Sequence, residues 1–332
     1  MNKKYDLAVY IGRFQPFHNG HNAVIKEAFS IANKVLVLVG STNTSINIKN
    51  PFTFEERRNM IINSTTLPVE VMPLDDYIYE ENQWLTDVQE LVGDNTNVCI
   101  IGHSKDESSY YLKHFPQWDF VDVEYHETID ATMIRELLYN GKLSFIKGAI
   151  PGAVYNYLVE FTKTDKYLDL TEEYKFIKEY KASWAGSPHE PTFNTVDAVV
   201  IQSGHILLIK RKDYPGKGLL ALPGGFLNPK ETLLDAVIRE LREETKIKIP
   251  EPVLRGSIVK EETFDAVDRS TRGRTITKAF LIQLDDSQPL PKVKGSDDAS
   301  HAEFIPLAKF YDIPEQMYED HYHIIRKLLD NM

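Results

Sequence analysis

The feature that most constrains this chain is a set of short, unbroken apolar runs in its first half, three of which end at a glycine. Residues 7–11 run into Gly12, 35–39 into Gly40 and 98–101 into Gly102. A strand with one wet face alternates apolar and polar residues, so an unbroken run fits a strand buried on both faces, as in a parallel sheet covered by helices. Runs at 69–74 and 120–125 complete five predicted strands, and the segments between them are long enough for crossover helices. Helical periodicity appears at 22–32, 54–62 and 133–138. Alternation of this kind predicts an α/β fold with a doubly wound, Rossmann-like parallel sheet. Such sheets bind ligands at the carboxyl ends of their strands, where the three glycines fall.

The second half reads differently. Between residues 164 and 191 the composition turns charged and aromatic, and Gly186-Ser187-Pro188 is a breaker cluster. A boundary there divides the 332 residues into domains 1–180 and 186–332, both of ordinary size. Residues 196–201 and 206–210 read as a hairpin turning at Ser203-Gly204, 229–246 as a long helix and 275–284 as a strand, an α+β pattern. With 38 basic and 49 acidic residues the net charge is −11, which argues against coating nucleic acid or an anionic membrane. Small anions need only a few local cations or metal ions and stay allowed. Cys99 is the only cysteine, so there is no intramolecular disulfide, and no Cys/His cluster has zinc spacing. The opening residues lack signal-peptide features, and no run approaches the roughly 18 apolar residues of a membrane span. A cytoplasmic protein with neither nucleic-acid nor membrane partner is expected, and a homo-oligomer is compatible with the chain.

Gly12-Arg13-Phe14-Gln15-Pro16-Phe17-His18-Asn19-Gly20-His21 follows the first predicted strand and opens the first helix. A helix N-terminus presents free N–H groups and a positive dipole end, which suits phosphate. Two imidazoles there can donate hydrogen bonds to phosphoryl oxygens as charge develops, and no covalent nucleophile is needed. The string resembles the H-x-G-H signature of the nucleotidyltransferase superfamily, in the form G-R-F-Q-P-F-H-x-G-H of archaeal-type nicotinamide mononucleotide adenylyltransferases. Ile129-Asp130-Ala131-Thr132-Met133-Ile134-Arg135 is similar to that family's second signature, I-S-x-T-x-I-R, with Asp130 in place of the serine. The resemblance implies that His18 and His21 stabilise the transition state and that Arg135 holds the ATP phosphates. It also implies that Gly12, Arg13, Phe14 and Thr132 lie against the nucleotide. Asn82 and Trp84 would form the nicotinamide pocket, where an indole face suits a flat cationic ring. Gly102 and Asp106 would lie near the ribose and adenine of ATP. Glu55, Glu56 and Arg57 also look like the family, but such a cluster fits a solvated helix face equally well.

In the second half Gly225 is followed by five residues and Glu231, then seven residues and Arg239-Glu240-Leu241-Arg242-Glu243-Glu244. Asn228 reads as a helix cap with Pro229 at the first position. Leu233, Ala236 and Val237 form an apolar stripe, and Glu240, Glu243 and Glu244 continue it, at about 100° per residue. A solvated charged face should oppose the apolar stripe; these acids extend it. Clustered carboxylates repel unless a cation neutralises them, and oxygen-only ligands suit Mg²⁺ or Mn²⁺. The spacing resembles the Nudix box, which implies an α/β/α sandwich. In that family Glu240, Glu243 and Glu244 would bind metal with the Gly225 carbonyl, and Arg239 would pair with Glu231. Lys246 replaces the glycine that ends the family pattern, at a cost if that backbone is left-handed. Arg274, in the run 268–275, would supply positive charge to an ADP-ribose substrate. Glu231, Glu262, Asp297 and Asp298 are open alternatives for the general base.

Together the two signatures resemble bifunctional nicotinamide mononucleotide adenylyltransferase/Nudix hydrolases. The resemblance implies one domain that makes NAD and pyrophosphate from nicotinamide mononucleotide and ATP, and one that cleaves ADP-ribose to AMP and ribose 5-phosphate. Mg²⁺ or Mn²⁺ would serve both sites. Flavin mononucleotide or phosphopantetheine as adenylyl acceptor, and a second domain acting as a non-catalytic ligand sensor, are the alternatives.

Overall fold

The computed structural model describes residues 3–103, 114–123 and 130–330. Two compact units, Met1–Glu172 and Glu173–Met332, divide the chain. The division falls inside the helix Asp165–Ala182, which runs unbroken through the start of the charged and aromatic segment. Among the described residues no helix is long and apolar enough to cross a membrane.

The first unit contains β1 (Tyr5–Gly12), α1 (Asn19–Ile31), β2 (Ala32–Val39), α2 (Phe54–Ile62), β3 (Glu70–Pro73) and α3 (Glu81–Val92). β4 (Val98–Gly102), β5 (Asp119–Asp122), α4 (Ala131–Tyr139), α5 (Gly152–Phe161) and the start of α6 (Asp165–Ala182) follow. All five strands are parallel in the order β3-β2-β1-β4-β5. Val9, Val37, Leu38 and Ile101 have no exposed surface, as the unbroken apolar runs require. The strand order reverses between β1 and β4, so the ligand crevice of this architecture lies at the ends carrying Gly12 and Gly102. Ala32 caps α1, its N–H donating to the Ala28 carbonyl, while its extended backbone opens β2 and pairs with Tyr5.

In the second unit the strands are β6 (Phe193–Gln202), β7 (His205–Arg211), β8 (Leu220–Ala221), β9 (Gly224–Phe226), β10 (Ile258–Phe264), β11 (Thr275–Gln283) and β12 (Ala299–Pro306). They form one mixed sheet with the path β10-β11-β6-β7-β12. Ser203 and Gly204 both have positive φ, 49° and 67°, the turn that matches strand twist in a two-residue hairpin. β6 and β7 pair only beside that turn, at Ile201 with Ile206 and Gln202 with His205. They then diverge, and β9 pairs with β6 while β8 pairs with β7 inside the fork. α7 (Leu233–Thr245) packs on the sheet through Ala236, Val237, Ile238 and Leu241. α8 (Glu251–Gly256), α9 (Leu307–Tyr311) and α10 (His321–Leu329) complete the unit.

α7 starts later than its local sequence suggests. Thr232, not Asn228, is the N-cap and accepts from the Asp235 N–H at 3.2 Å. Glu231 instead turns back to accept from the Asn228 N–H at 2.8 Å, which keeps 228–231 as a turn. Leu233, expected on the buried stripe, is 37% exposed.

Candidate active sites

The first site is built where β1 and β2 end. A Cβ on Gly12 would lie 2.9 Å from the Phe14 ring, so that position is closed to any side chain. Phe14 takes φ +52° to fold its ring back, and the ring is only 1% exposed. It meets the His21 imidazole edge-on at 4.8 Å. The side chain of Phe14 is thus a platform for His21 rather than a ligand surface, and only its backbone could contact substrate.

His18 caps α1 and His21 follows on its first turn. Their rings stack with centroids 3.5 Å apart. The His18 N–H donates to Nδ1 of His21 at 3.2 Å, which fixes the His21 proton on Nε2. Burial, and then the His18 ring, hold His21 well below its ordinary pKa. At neutral pH it is an uncharged hydrogen-bond donor.

Arg135 reaches this loop from α4. Its guanidinium donates to the Gln15 carbonyl at 2.6 Å and to Thr132 Oγ1 at 3.2 Å. Burial, with a contribution from Arg13, lowers its pKa to about 10, so it keeps its charge at neutral pH. Asp130, which stands where the family has serine, caps α4 by accepting from the Met133 N–H at 2.9 Å. Arg13 and Thr132 are exposed at the site.

Arg57 carries more than its sequence context suggests. It is 1% exposed and donates to the carbonyls of Arg13 (2.8 Å), Gly40 (2.6 Å) and Ser41 (3.2 Å). One buried cation therefore ties the turns after β1 and β2 together. Glu56 beside it is also structural: it closes a capping box with Thr53 and accepts from Tyr157 and Lys166. Helical periodicity alone could not mark either residue, because charged side chains on a short helix normally face water.

Asn82 and Trp84 stand on α3. Asn82 is exposed, and Trp84 is half-buried against the core cluster, its ring 6.0 Å from Phe115. Gly102 is buried at the end of β4, where its carbonyl accepts from the Val123 N–H at 2.8 Å. Asp106 lies outside the described residues.

The second site lies in the fork of the second sheet, around a cavity of about 270 Å³. Gly224 and Gly225 form one wall. A Cβ on Gly224 would collide with the Val196 carbonyl oxygen, so that place admits no side chain, and one on Gly225 would lie 2.5 Å from Glu240 Oε1, which would have to shift. Glu244 is 3% exposed and accepts from the Gly224 N–H at 2.9 Å. Burial, with Glu240 and Asp298 nearby, raises its pKa to about 8. Burial raises Glu240 as well.

Arg239 organises the opposite rim. It grips Glu231 through two hydrogen bonds, of 2.9 and 2.7 Å, and its Nη1 also donates to Glu240 (2.7 Å) and Glu243 (2.9 Å). The Arg239 hydrogen bonds depress Glu231 to about 2. That makes Glu231 a poor general base. Glu262 is also set aside: it pairs with Lys260 on β10 and is not on the cavity wall. Asp297 and Asp298 do line the cavity, and so does Glu319, which the sequence reading missed. Glu319 accepts from the Thr271 N–H at 3.1 Å, a pairing across 48 residues with no local signal.

Arg274 is not on this wall. Its Nη1 donates to the carbonyls of Asp265 (2.6 Å) and Ala266 (3.2 Å), and it lines a different cavity. Arg269 and Arg272 of the same run face the carboxylates instead, with Arg211 from β7. Arg269 is locked to Asp320 by two hydrogen bonds of 2.8 Å, and Arg272 lies 4.8 Å over the Phe226 ring. His321 accepts from the Leu222 N–H at 2.9 Å and faces Asp197 at 3.7 Å.

Whether this wall suits a divalent cation can be judged from its donors. Among the described residues no three His, Cys, Asp or Glu side chains are drawn together as a ready metal cage, since Glu240 and Glu243 are turned onto Arg239. The donors are nonetheless all oxygen. Burial and mutual repulsion raise Glu240 and Glu244, a strain that a cation relieves. The residues fit Mg²⁺ or Mn²⁺.

Comparison with known proteins assigns each half of the chain to a family. Residues 9–137 match the cytidylyltransferase-like family and residues 191–328 match the NUDIX domain family. The chain is 38% identical over 181 residues to the nicotinamide/nicotinic acid mononucleotide adenylyltransferase of Acinetobacter baylyi, covering 52% of this chain and 95% of that one. It superposes with TM-score 0.95 and 42% identity on a bifunctional NMN adenylyltransferase/ADP ribose pyrophosphatase from Francisella tularensis, over 98% of this chain and 99% of that one. A structure of a Francisella tularensis bifunctional enzyme complexed with AMP and a manganese ion gives TM-score 0.90 and 40% identity, over 98% and 99% of the two chains. Matched from end to end, the chain belongs to the family of bifunctional NMN adenylyltransferase/ADP ribose pyrophosphatases.

Proposed function

We propose that the chain makes NAD at its first site and hydrolyses ADP-ribose at its second. The observation that carries this reading is the pairing, on one chain, of a histidine-bearing strand–helix turn with a buried carboxylate wall, matched over its whole length by the bifunctional Francisella protein.

In the first unit a phosphate oxygen of nicotinamide mononucleotide attacks the α-phosphorus of ATP and pyrophosphate leaves. Neutral His21 donates from Nε2 to a phosphoryl oxygen as charge builds, with His18 stacked beside it. Arg13 and Arg135 hold the triphosphate, and Gly12, Thr132 and the Phe14 backbone border it. Asn82 and Trp84 bind the nicotinamide, and Gly102 and Asp106 the adenosine end. Mg²⁺ or Mn²⁺, entering with the triphosphate, would offset its charge.

In the second unit Glu240, Glu243, Glu244 and the Gly225 carbonyl would hold Mg²⁺ or Mn²⁺. When bound, the ion polarises the diphosphate and lowers the pKa of water. Arg239 and Glu231 fasten the loop to α7. Arg211 and Arg272, rather than Arg274, hold the diphosphate. Asp297, Asp298 or Glu319 accepts the proton of the attacking water, and AMP and ribose 5-phosphate leave. The reading is of a cytoplasmic enzyme whose partners are small nucleotides, with neither nucleic acid nor membrane among them.

Two assays on three proteins test it. Wild type should convert nicotinamide mononucleotide plus ATP to NAD, and should hydrolyse ADP-ribose. His21→Ala should lose the first activity and keep the second, and Glu244→Gln should do the reverse. Loss of both activities in both variants would sink the assignment of independent sites.

A further inference from the structure

Glu173 precedes the breaker cluster Gly186-Ser187-Pro188 that marks the boundary in the sequence, yet its side chain serves the second unit. It stands in the middle of α6 and is only 7% exposed, and Ile177, one turn on, is buried as well. A carboxylate so far from water needs hydrogen-bond donors. Its Oε2 accepts from the Gly216 N–H at 3.0 Å. Gly216 belongs to the loop 212–218 between β7 and β8, in which only Pro215 and Gly216 are buried.

The same peptide unit has a second partner. Its carbonyl, that of Pro215, accepts from Arg211 Nε at 2.8 Å. In a trans peptide the N–H and C=O point to opposite edges of one plane, so Glu173 and Arg211 hold the 215–216 peptide from its two sides. A carboxylate on the N–H polarises the group and strengthens its carbonyl as an acceptor. Tyr318 completes the setting. The Arg211 guanidinium lies over its ring, 4.1 Å from the centroid. Gly216, at φ +73°, packs its backbone against the same ring, with which a Cβ would collide. Arg211 is thus fixed through Nε and across its flat face. Among the described residues its terminal nitrogens have no hydrogen-bond partner, and the side chain lines the cavity of Glu240 and Glu244.

Resting on the hydrolase reading above, in which Arg211 holds the diphosphate, we propose that Glu173 is a positioning residue of that reaction. It is not on the cavity wall and touches no substrate. It sets the 215–216 peptide, the peptide sets the guanidinium, and the guanidinium meets the diphosphate. Helix α6 is then a working part of the hydrolase as well as a connector.

Steady-state kinetics of the full chain in a double-mutant cycle, Glu173→Ala with Arg211→Ala, provides the test. Glu173→Ala should raise KM for ADP-ribose about tenfold with kcat little changed, the mark of lost ground-state binding. NAD synthesis should continue at the wild-type rate. Glu173→Gln, whose amide oxygen still accepts from an N–H, should recover most of the loss. On the Arg211→Ala background Glu173→Ala should add no more than about twofold, because the group it positions is gone. An equal rise in KM on both backgrounds overturns the proposal, as does an unchanged KM in folded Glu173→Ala. If Glu173→Ala does not fold, Glu173→Asp, which draws the carboxylate back by one methylene, takes its place in the cycle and is judged by the same two outcomes. Failure of wild type to hydrolyse ADP-ribose defeats instead the hydrolase reading on which the proposal rests.

Discussion

Lys246 offers a quantitative test of how the second unit tolerates its departure from the Nudix box. It is the C-cap of α7, with φ +50° and ψ +28°, in the left-handed region. A side chain there crowds the following carbonyl at a cost of about 1–2 kcal/mol. Glycine escapes that cost but loses about 0.5–1 kcal/mol through the freedom of the unfolded chain. Taken at their midpoints, the two effects leave glycine favoured by about 0.75 kcal/mol. Lysine also interacts favourably with the helix C-terminus, worth about 0.3–1 kcal/mol, so wild type is the wrong reference. The clean comparison is Lys246→Gly against Lys246→Ala, because both remove the charge and only alanine keeps a Cβ. For a unit of this size the gap corresponds to a Tm higher by about 1–4 °C in the glycine variant. Differential scanning calorimetry, following the transition sensitive to ADP-ribose and metal, measures it. Because Lys246 is exposed and its backbone N–H bond to the Arg242 carbonyl is available to any residue, hydrolysis should be unaltered. Equal melting of the two variants, or a lower Tm for glycine, would refute the assignment of strain to this backbone.

Other predictions are more direct. Gly225→Ala places a Cβ 2.5 Å from Glu240 Oε1, so it should abolish ADP-ribose hydrolysis while NAD synthesis continues; retained hydrolysis would show that Glu240 can move freely. His321 and His323 are each held down to about 4 by burial. Their unfolded forms take up protons below the ordinary value of 6.5 and the folded forms do not. Their contribution is therefore whole above pH 6.5 and is lost as the pH falls toward about 4. Urea unfolding followed across that range should show falling stability, with a shallower slope in His323→Gln; an identical slope would contradict the burial argument.

The parts of the fold that were legible in the sequence are those decided by local pattern. The strands of the first unit announce themselves because both faces are buried, and Ser203-Gly204 does so because a two-residue hairpin demands positive φ. Tertiary demands hid the rest. Asn228-Pro229 satisfies every local rule for a helix start, yet the chain delays α7 to Thr232 because Glu231 must reach Arg239. The arginine run reads as one patch in sequence, but only Arg269 and Arg272 enter the carboxylate cavity. Glu319 is joined to Thr271 from a distant segment and could not be found from spacing.

Arg57 shows most clearly what a sequence of this kind conceals, because its role depends on the partners it takes. Its hydrogen bonds go to the backbone carbonyls of Arg13, Gly40, Ser41 and Thr53. A carbonyl satisfies a guanidinium N–H without cancelling its net charge, as a bound carboxylate would. Arg135 follows the same rule, donating to the Gln15 carbonyl and the Thr132 hydroxyl. The first unit thus buries cations that keep much of their field, tempered at Arg57 by the half-buried Asp76. The second unit does the opposite, burying Glu240 and Glu244 against glycine backbone until a cation is favoured. Both arrangements answer the same problem, attracting polyphosphate to a protein whose net charge is −11. The excess of acid excludes a polyanion partner only at long range; within a few ångströms, what counts is whether each buried charge is paired with a dipole or with its opposite.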